Sequence, residues 1–449
     1  MSTRSHVAWL FRELACLVDD GIITEEQSQL IKGRYRAAET RTFISIIAIL
    51  GALLLGLGTI LVLAFNWHSI PEAVRLGIVV SAMAVSYASG YWLAFESRRY
   101  VATGRALILL GVLLFGAGIW TIVQIYNISF GYSYALLIWA AAALLVSVVL
   151  AEQPVLWLSQ VLFLAWVFTW QGENDYAMNY WFPVVMAIGV LPAVIRLRST
   201  VAAPIWVVGF ASWLGRTYSH PIVFARFPPN MLAVQTFLLL LYEATSIDAV
   251  SLNRAKVGTT FRTVSLAGVL VTVFAFTTAY GESCRLPSLE PLWTVLPMEL
   301  TIFMGAMATS CLALGICGIR RSWRHARWRS VEHVAAVSLL IITTLQFAAP
   351  GMMPVWAWTV MVNVVYFALA LGVLWMGTLD GNPVMVTMAV GFFLLGIVAR
   401  FFDYALAAEW RSLSFIAGGA VLLISAWLLE RGRRAMLQRA KAVRKDDQN

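Results

Sequence analysis

Charge is scarce in this chain, and lysine is almost missing. Only 12% of the 449 residues are charged, while 60% are hydrophobic. An ordinary soluble domain carries about 25% charged residues, so water is excluded as the main solvent. Lysine occurs only at Lys32, Lys256, Lys441 and Lys445, and arginine carries the rest of the positive charge, a bias typical of GC-rich bacterial genomes. The four cysteines, Cys16, Cys284, Cys311 and Cys317, have neither a disulfide framework nor zinc spacing. They read as small apolar fillers. HExxH, P-loop and paired CxxC motifs are all lacking. The histidines (His6, His68, His220, His325 and His333) are scattered. No cofactor, metal or standard enzyme template is implied. The net charge of +9 would point to nucleic acid in a soluble protein. Here membrane topology accounts for it, and no nucleic-acid partner is expected.

What the chain has is apolar runs. They fall near 43–65, 76–95, 106–126, 132–150, 155–170, 181–195, 201–215, 231–247, 264–280, 296–319, 331–349, 354–377, 383–402 and 412–429. A helix crosses the hydrocarbon core with about 20 apolar residues. The fold class read from this is all-α, a polytopic transmembrane helix bundle of about 14 spans filling 43–430. The fifth to seventh runs are short, so they read as tilted or half-helices and leave a count of 12 open. With the N-terminus in the cytoplasm, 26 of the 32 cations fall on the inner side. The six outside are Arg75, Arg216, Arg226, Arg285, Arg400 and Arg411. This is the positive-inside pattern, and it requires an even span count with both termini cytoplasmic, in a bacterial inner membrane. Aromatic residues fit the same frame: Trp181 and Trp213 lie at outer ends, Trp92 and Trp375 at inner ones, as interfacial belts do.

Residues 1–42 look soluble. Val7, Leu10, Phe11, Leu14 and Leu17 recur at helical spacing, Gly21 ends that run, and Thr24 with Gln27 forms a capping box for a second helix. A helical hairpin of about 35 residues cannot hold its own core. It is expected to pack on itself, on a protein partner or second copy, or on the membrane face. The tail 431–449 is basic. Together with Arg320, Arg321 and Arg324 it is a candidate contact for anionic lipid heads, although topology signalling is the simpler reading.

Gly51-Ala-Leu-Leu-Leu-Gly56-Leu-Gly58 is echoed by Gly111-Val-Leu-Leu-Phe-Gly116-Ala-Gly118, and partly by Gly391-Phe-Phe-Leu-Leu-Gly396. Small residues on one face let membrane helices approach closely. If the echo is more than chance, it marks a two-span repeat over 43–95 and 105–150, as in transporters built from repeats.

Polar side chains within spans mark sites by default. Gln124, Tyr126 and Asn127 close the third span, Gln160 lies in the fifth and Asn363 in the twelfth. Arg400 and Asp403 are three apart and can pair on a helix. Glu243, Glu299 and Glu332 lie near span ends, where interface anchoring is the simpler reading. The outer loop Asn66-Trp67-His68-Ser69-Ile70-Pro71-Glu72 is a dense polar cluster. His68 and Glu72 could do acid–base work, but Pro71 denies them one helical face, and a capped turn is the plainer account.

Four stretches now stand together: Leu17-Val-Asp-Asp-Gly21-Ile-Ile-Thr24 running to Tyr35; Ala64-Phe-Asn66-Trp67; Gln124-Ile-Tyr126-Asn127 with Trp139 after it; and Arg400-Phe-Phe-Asp403 through Arg411-Ser-Leu-Ser-Phe415 to Glu430-Arg-Gly-Arg-Arg434. In this order they resemble a bacterial family of predicted multi-pass membrane proteins, domain of unknown function 2157, over residues 10–150 and 390–435. The resemblance implies the topology and transfers no catalytic residue.

The expected function is transporter- or flippase-like, with a polar cavity toward the outer face formed from Gln124, Tyr126, Asn127, Arg400, Asp403, Asn66, Trp67, His68 and Glu72. A non-transporting assembly or sensor protein docking through residues 1–42 is the alternative. A membrane-embedded enzyme using His68 and Glu72 is the weaker one.

Overall fold

A computed structural model describes residues 71–97, 100–126, 131–217, 229–246, 256–279, 298–325, 330–348, 352–379 and 382–402, with isolated positions between 13 and 31 and Gly51. The described residues are helical throughout, with no strand among them. The helices are α1 (Glu72–Glu96), α2 (Val101–Ile125), α3 (Tyr132–Leu150), α4 (Gln153–Glu173), α5 (Trp181–Arg196) and α6 (Ala202–Arg216). They continue as α7 (Pro229–Ser246), α8 (Lys256–Ala279), α9 (Met298–His325), α10 (Ser330–Ala348), α11 (Val355–Leu379) and α12 (Pro383–Phe402). Seven of them contain segments long and apolar enough to cross a membrane: α1 to α4, α8, α9 and α11. α5, α7, α10 and α12 contain shorter apolar segments, and α6 has 15 residues.

Polar residues just ahead of the helices set several starts. The carbonyl oxygen of the Asn179 side chain accepts from the N–H groups of Trp181 and Phe182, Ser199 Oγ from that of Ala202, and Asn382 from those of Val384 and Met385. Each satisfies N–H groups that the first turn leaves unpaired. Pro71 opens α1, its carbonyl accepting from the N–H of Val74 and Arg75, while residues 66–70 of the loop read as a capped turn lie outside the described residues. The capping box also forms: the Thr24 N–H donates to Gln27 Oε1 at 3.0 Å, and the Gln27 N–H to Thr24 Oγ1 at 3.3 Å. The rest of the hairpin lies outside the described residues.

The fifth run is not short. α4 has 21 residues and extends to Glu173, because Gln171 and Gly172, which break the apolar run, remain helical. α5 and α6 are short, as expected. α5 also contains a π-helical segment, Val185–Val190, in which the carbonyl of Met186 accepts from the N–H of Leu191 and the indole N–H of Trp206.

The chain divides into two compact units, residues 1–170 and 171–449. In the first, α1 and α2 touch backbone to backbone. A Cβ on Gly104 would stand 2.6 Å from the Ala94 nitrogen and 2.8 Å from the Gly90 carbonyl oxygen. α3 ends at Ala151, which is left-handed (φ 56°), and α4 begins two residues later.

In the second unit, Trp206, Phe210, Phe237 and Phe261 form an aromatic core, with Phe210 and Phe237 stacked at 4.4 Å. Trp213 belongs to this core. It is fully buried against Phe182, Phe210 and Phe303, so the expectation of an interfacial belt residue is corrected there: the aromatic faces of three helices enclose it. Trp92, Trp181 and Trp375 are exposed, as belt residues should be.

One packing device occurs in both units. The Trp139 ring on α3 lies across Gly116 of α2, and its indole N–H donates to the Val112 carbonyl at 2.8 Å. The Tyr366 ring on α11 lies across Gly396 of α12, and its hydroxyl donates to the Phe392 carbonyl. Each time an aromatic ring covers a glycine and its polar tip reaches the carbonyl four residues earlier. The echoed glycines 116 and 396 therefore share a packing role. The aromatic partner follows the glycine helix in the first unit and precedes it in the second.

Candidate functional site

The outer-end residues are placed in part. Glu72 opens α1 and is exposed; Gln124 and Tyr126, at the end of α2, are exposed as well. Arg400 lies in the last turn of α12. Asn66, Trp67, His68, Asn127 and Asp403 lie outside the described residues, as does the basic tail. Arg320 is exposed in the last part of α9, which also carries Arg321 and Arg324.

Helix ends meet one another within each unit. Arg105 Nε of α2 stands 3.1 Å from Glu152 Oε1 in the α3–α4 turn. Gln171 Nε2 donates to Thr217 Oγ1 at 3.1 Å, and the Arg216 guanidinium lies 5.2 Å from the Tyr176 ring centre. Glu152 is buried although Arg105 is half exposed. Burial raises the Glu152 carboxyl above its ordinary 4.5, and Arg105 pulls it back only in part. The folded chain therefore holds this proton more tightly than the unfolded one. The contribution of Glu152 to stability is fullest in acid, falls as pH rises from 4.5 through the raised folded value, and then levels. Glu152→Gln should flatten this slope in unfolding curves recorded from acid to neutral pH. Arg105→Ala should steepen it and cost about 1–3 kcal/mol at neutral pH, the range for stranding a buried polar group.

Among the described residues, one carboxylate that the sequence assigned to an interface is set deep in the fold. Glu243, near the end of α7, is completely buried, and its Oε2 lies 2.5 Å from Nδ1 of His333, in the first turn of α10. Interface anchoring of Glu243 is thus corrected: helices on either side shield it from any interface. Glycines make the room. A Cβ on Gly318 of α9 would stand 2.6 Å from His333 Nδ1, and one on Gly315 would stand 3.9 Å from the Glu243 carboxyl carbon. Farther along the same antiparallel pair, Gln235 Nε2 donates to Thr343 Oγ1 at 3.4 Å. α7 and α10 are therefore joined by a polar seam with two contacts.

Beside the seam is a cleft of about 570 Å³. Leu239 and Tyr242 of α7 and Leu266 and Val269 of α8 line it, with α10 residues between Ala335 and Ile342 and α11 residues between Val365 and Met376. Tyr242 turns its hydroxyl onto the Met376 sulfur at 3.8 Å, leaving hydrocarbon and ring faces toward the space. On α7, Gln235, Leu239, Tyr242 and Glu243 recur at helical spacing, so seam and cleft share one face.

With this geometry in place, comparison with known proteins gives one match. Residues 15–157 match the family model described as predicted membrane protein, DUF2157. That stretch is about a third of the chain and covers α1 to α3. No curated protein matches the chain. No solved structure matches it either. Family match and apolar helices together make this a multi-pass membrane protein, and the residues of the α7–α10 seam lie outside the matched stretch.

Sequence reasoning missed the seam because Glu243 and His333 are 90 residues apart, and hydropathy carries no pairing information. A usable signal was present: α9 places Gly315 and Gly318 three apart, on one helical face, in a run followed directly by the one that carries Glu332 and His333.

Proposed function

We propose that this is a transporter- or flippase-like protein of a bacterial inner membrane that moves an amphiphile, with its working site in the cleft bounded by α7, α8, α10 and α11. The observation that carries this reading is the Glu243–His333 pair, buried between α7 and α10, two helices that also line an apolar cleft. Ionisable groups are expensive inside a membrane, and they mark substrate paths and proton relays. α7 and α10 supply both the pair and two cleft walls. Breaking the tie between Glu243 and His333 would free α7 from α10 and let the cleft widen; re-forming it would close the cleft.

The test is lipid movement. The full chain is reconstituted in phosphatidylethanolamine–phosphatidylglycerol vesicles carrying a fluorescent phosphatidylglycerol, and dithionite is added outside. Bleaching should continue beyond the outer-leaflet fraction, and Glu243→Gln should stop it at that fraction. Identical traces for protein-containing and protein-free vesicles would refute the reading.

A further inference from the structure

The seam between α7 and α10 divides a membrane-length path into short apolar steps. α7 has 18 residues, about 27 Å at 1.5 Å per residue, close to a hydrocarbon core about 30 Å thick. Two polar stations lie along it. Glu243, with His333, is about 4.5 Å from the last residue of α7, and Gln235, with Thr343, is about 12 Å farther along. All four side chains are buried. Gln235 Oε1 has no hydrogen-bond partner, so the second station keeps an open acceptor inside the fold, a costly feature that calls for a reason.

Between the stations α7 presents Leu239, one turn from each on the same face, and α10 presents Ala336 and Leu339. All three also line the cleft. An apolar gap of this kind stays dry while its walls are close. Parting α7 from α10, the movement that widens the cleft, would let water join the two stations.

The chemistry at the first station suits a proton. A carboxyl and an imidazole 2.5 Å apart can pass a proton between them, take one from water and return it. A metal cation needs more ligands, and among the described residues no group of three His, Cys, Asp or Glu could hold one. The helices packed on α7 carry other ionisable groups: Glu332 beside His333 on α10, Cys311 and Arg320 on α9, and Arg262 on α8, its guanidinium 5.6 Å from the Tyr242 ring centre. α6 carries none before Arg216. Glu243 acts electrostatically on Cys311. Protons are therefore counted for the pair in this setting, not for either residue alone.

We infer that the α7–α10 seam conducts protons: Glu243–His333 takes the proton from water at one end, Gln235 and Thr343 hold the water that receives it, and Leu239 is the apolar plug between them. The pair returns to its starting state after each transfer, and only the proton changes place. This supplies a coupling ion for the proposed transport. It rests on that reading only for the coupling; proton passage is read separately.

The full chain is reconstituted in phosphatidylethanolamine–phosphatidylglycerol vesicles with pyranine inside, potassium on both sides and valinomycin to clamp the potential, and acid is added outside. Pyranine should report acidification faster than in protein-free vesicles. Glu243→Gln and His333→Phe should return the rate to the protein-free value, and Gln235→Leu should slow it. Leu239→Asn should speed it roughly tenfold, the effect of about 1.4 kcal/mol off a barrier, with trapped calcein retained. A wild-type rate equal to that of protein-free vesicles would overturn the inference with no variant needed. Release of calcein alongside the protons would overturn it as well, making the flux a plain leak. Proton flux without lipid movement would uphold the seam and remove the transport reading alone; lipid movement without proton flux would do the opposite.

Discussion

Glu243→Ala is expected to destabilise the full chain by about 3–5 kcal/mol, the usual cost of removing one member of a buried charged pair. The loss comes less from the missing attraction than from what remains: His333 would stay in a site closed by Gly318 and helix walls, without its carboxylate. His333→Ala should cost a similar amount. The double substitution should cost no more than the worse single one, because each single change already removes the whole interaction. Glu243→Gln keeps an acceptor for the ring and should cost less than alanine. Unfolding midpoints in detergent, followed by tryptophan fluorescence, read all four variants. Single costs below about 0.5 kcal/mol, as at ordinary surface positions, or strict additivity in the double would show that the pair does not hold α7 to α10.

The second large effect concerns glycines that look alike in sequence. Gly116→Ala and Gly396→Ala should each cost about 1–3 kcal/mol, as overpacking does, because the new methyl would collide with the Trp139 or Tyr366 ring. Gly391→Ala should do the reverse. A Cβ there meets no atom within 4 Å, and alanine is favoured over glycine within a helix by about 1 kcal/mol. Gly118→Ala falls between, with only Val79 at 3.5 Å. Trp139→Phe keeps most of the ring and loses the donor, a change of about 0.6–1.5 kcal/mol. The same thermal measurements decide the outcome: equal effects at Gly391 and Gly396 would mean that the aromatic cover is not what these glycines serve.

These two cases show which parts of the molecule were legible in advance. Helix positions were legible because each is written in a local apolar run. The predicted 132–150 and 383–402 coincide with α3 and α12. α4 was underestimated because Gln171 and Gly172 look like a stop, yet the Gln171 amide nitrogen donates to Thr217 at the end of α6. Trp213 was misplaced for a related reason, since an aromatic residue near a span end reads as a belt until the helices around it are known. Glu243 was misread because its cost depends on a residue three helices later. The glycine echo was visible as spacing, but its meaning required Trp139 and Tyr366, which no glycine pattern identifies.

The separation between Glu243 and His333 also bears on how the protein is made. Ninety residues lie between them. At a synthesis rate of about 5–20 residues per second, α7 leaves the ribosome roughly 5–20 s before its histidine exists. An acidic side chain such as aspartate costs about 2.5–3.5 kcal/mol at the middle of an inserting helix and less toward an end. Through that interval α7 must be held by the insertion machinery or keep its carboxyl near the headgroups. Closure of the α7–α10 seam is therefore a late, post-insertion event, and a chain stopped before α10 would present quality-control proteases with an acid still waiting for its base.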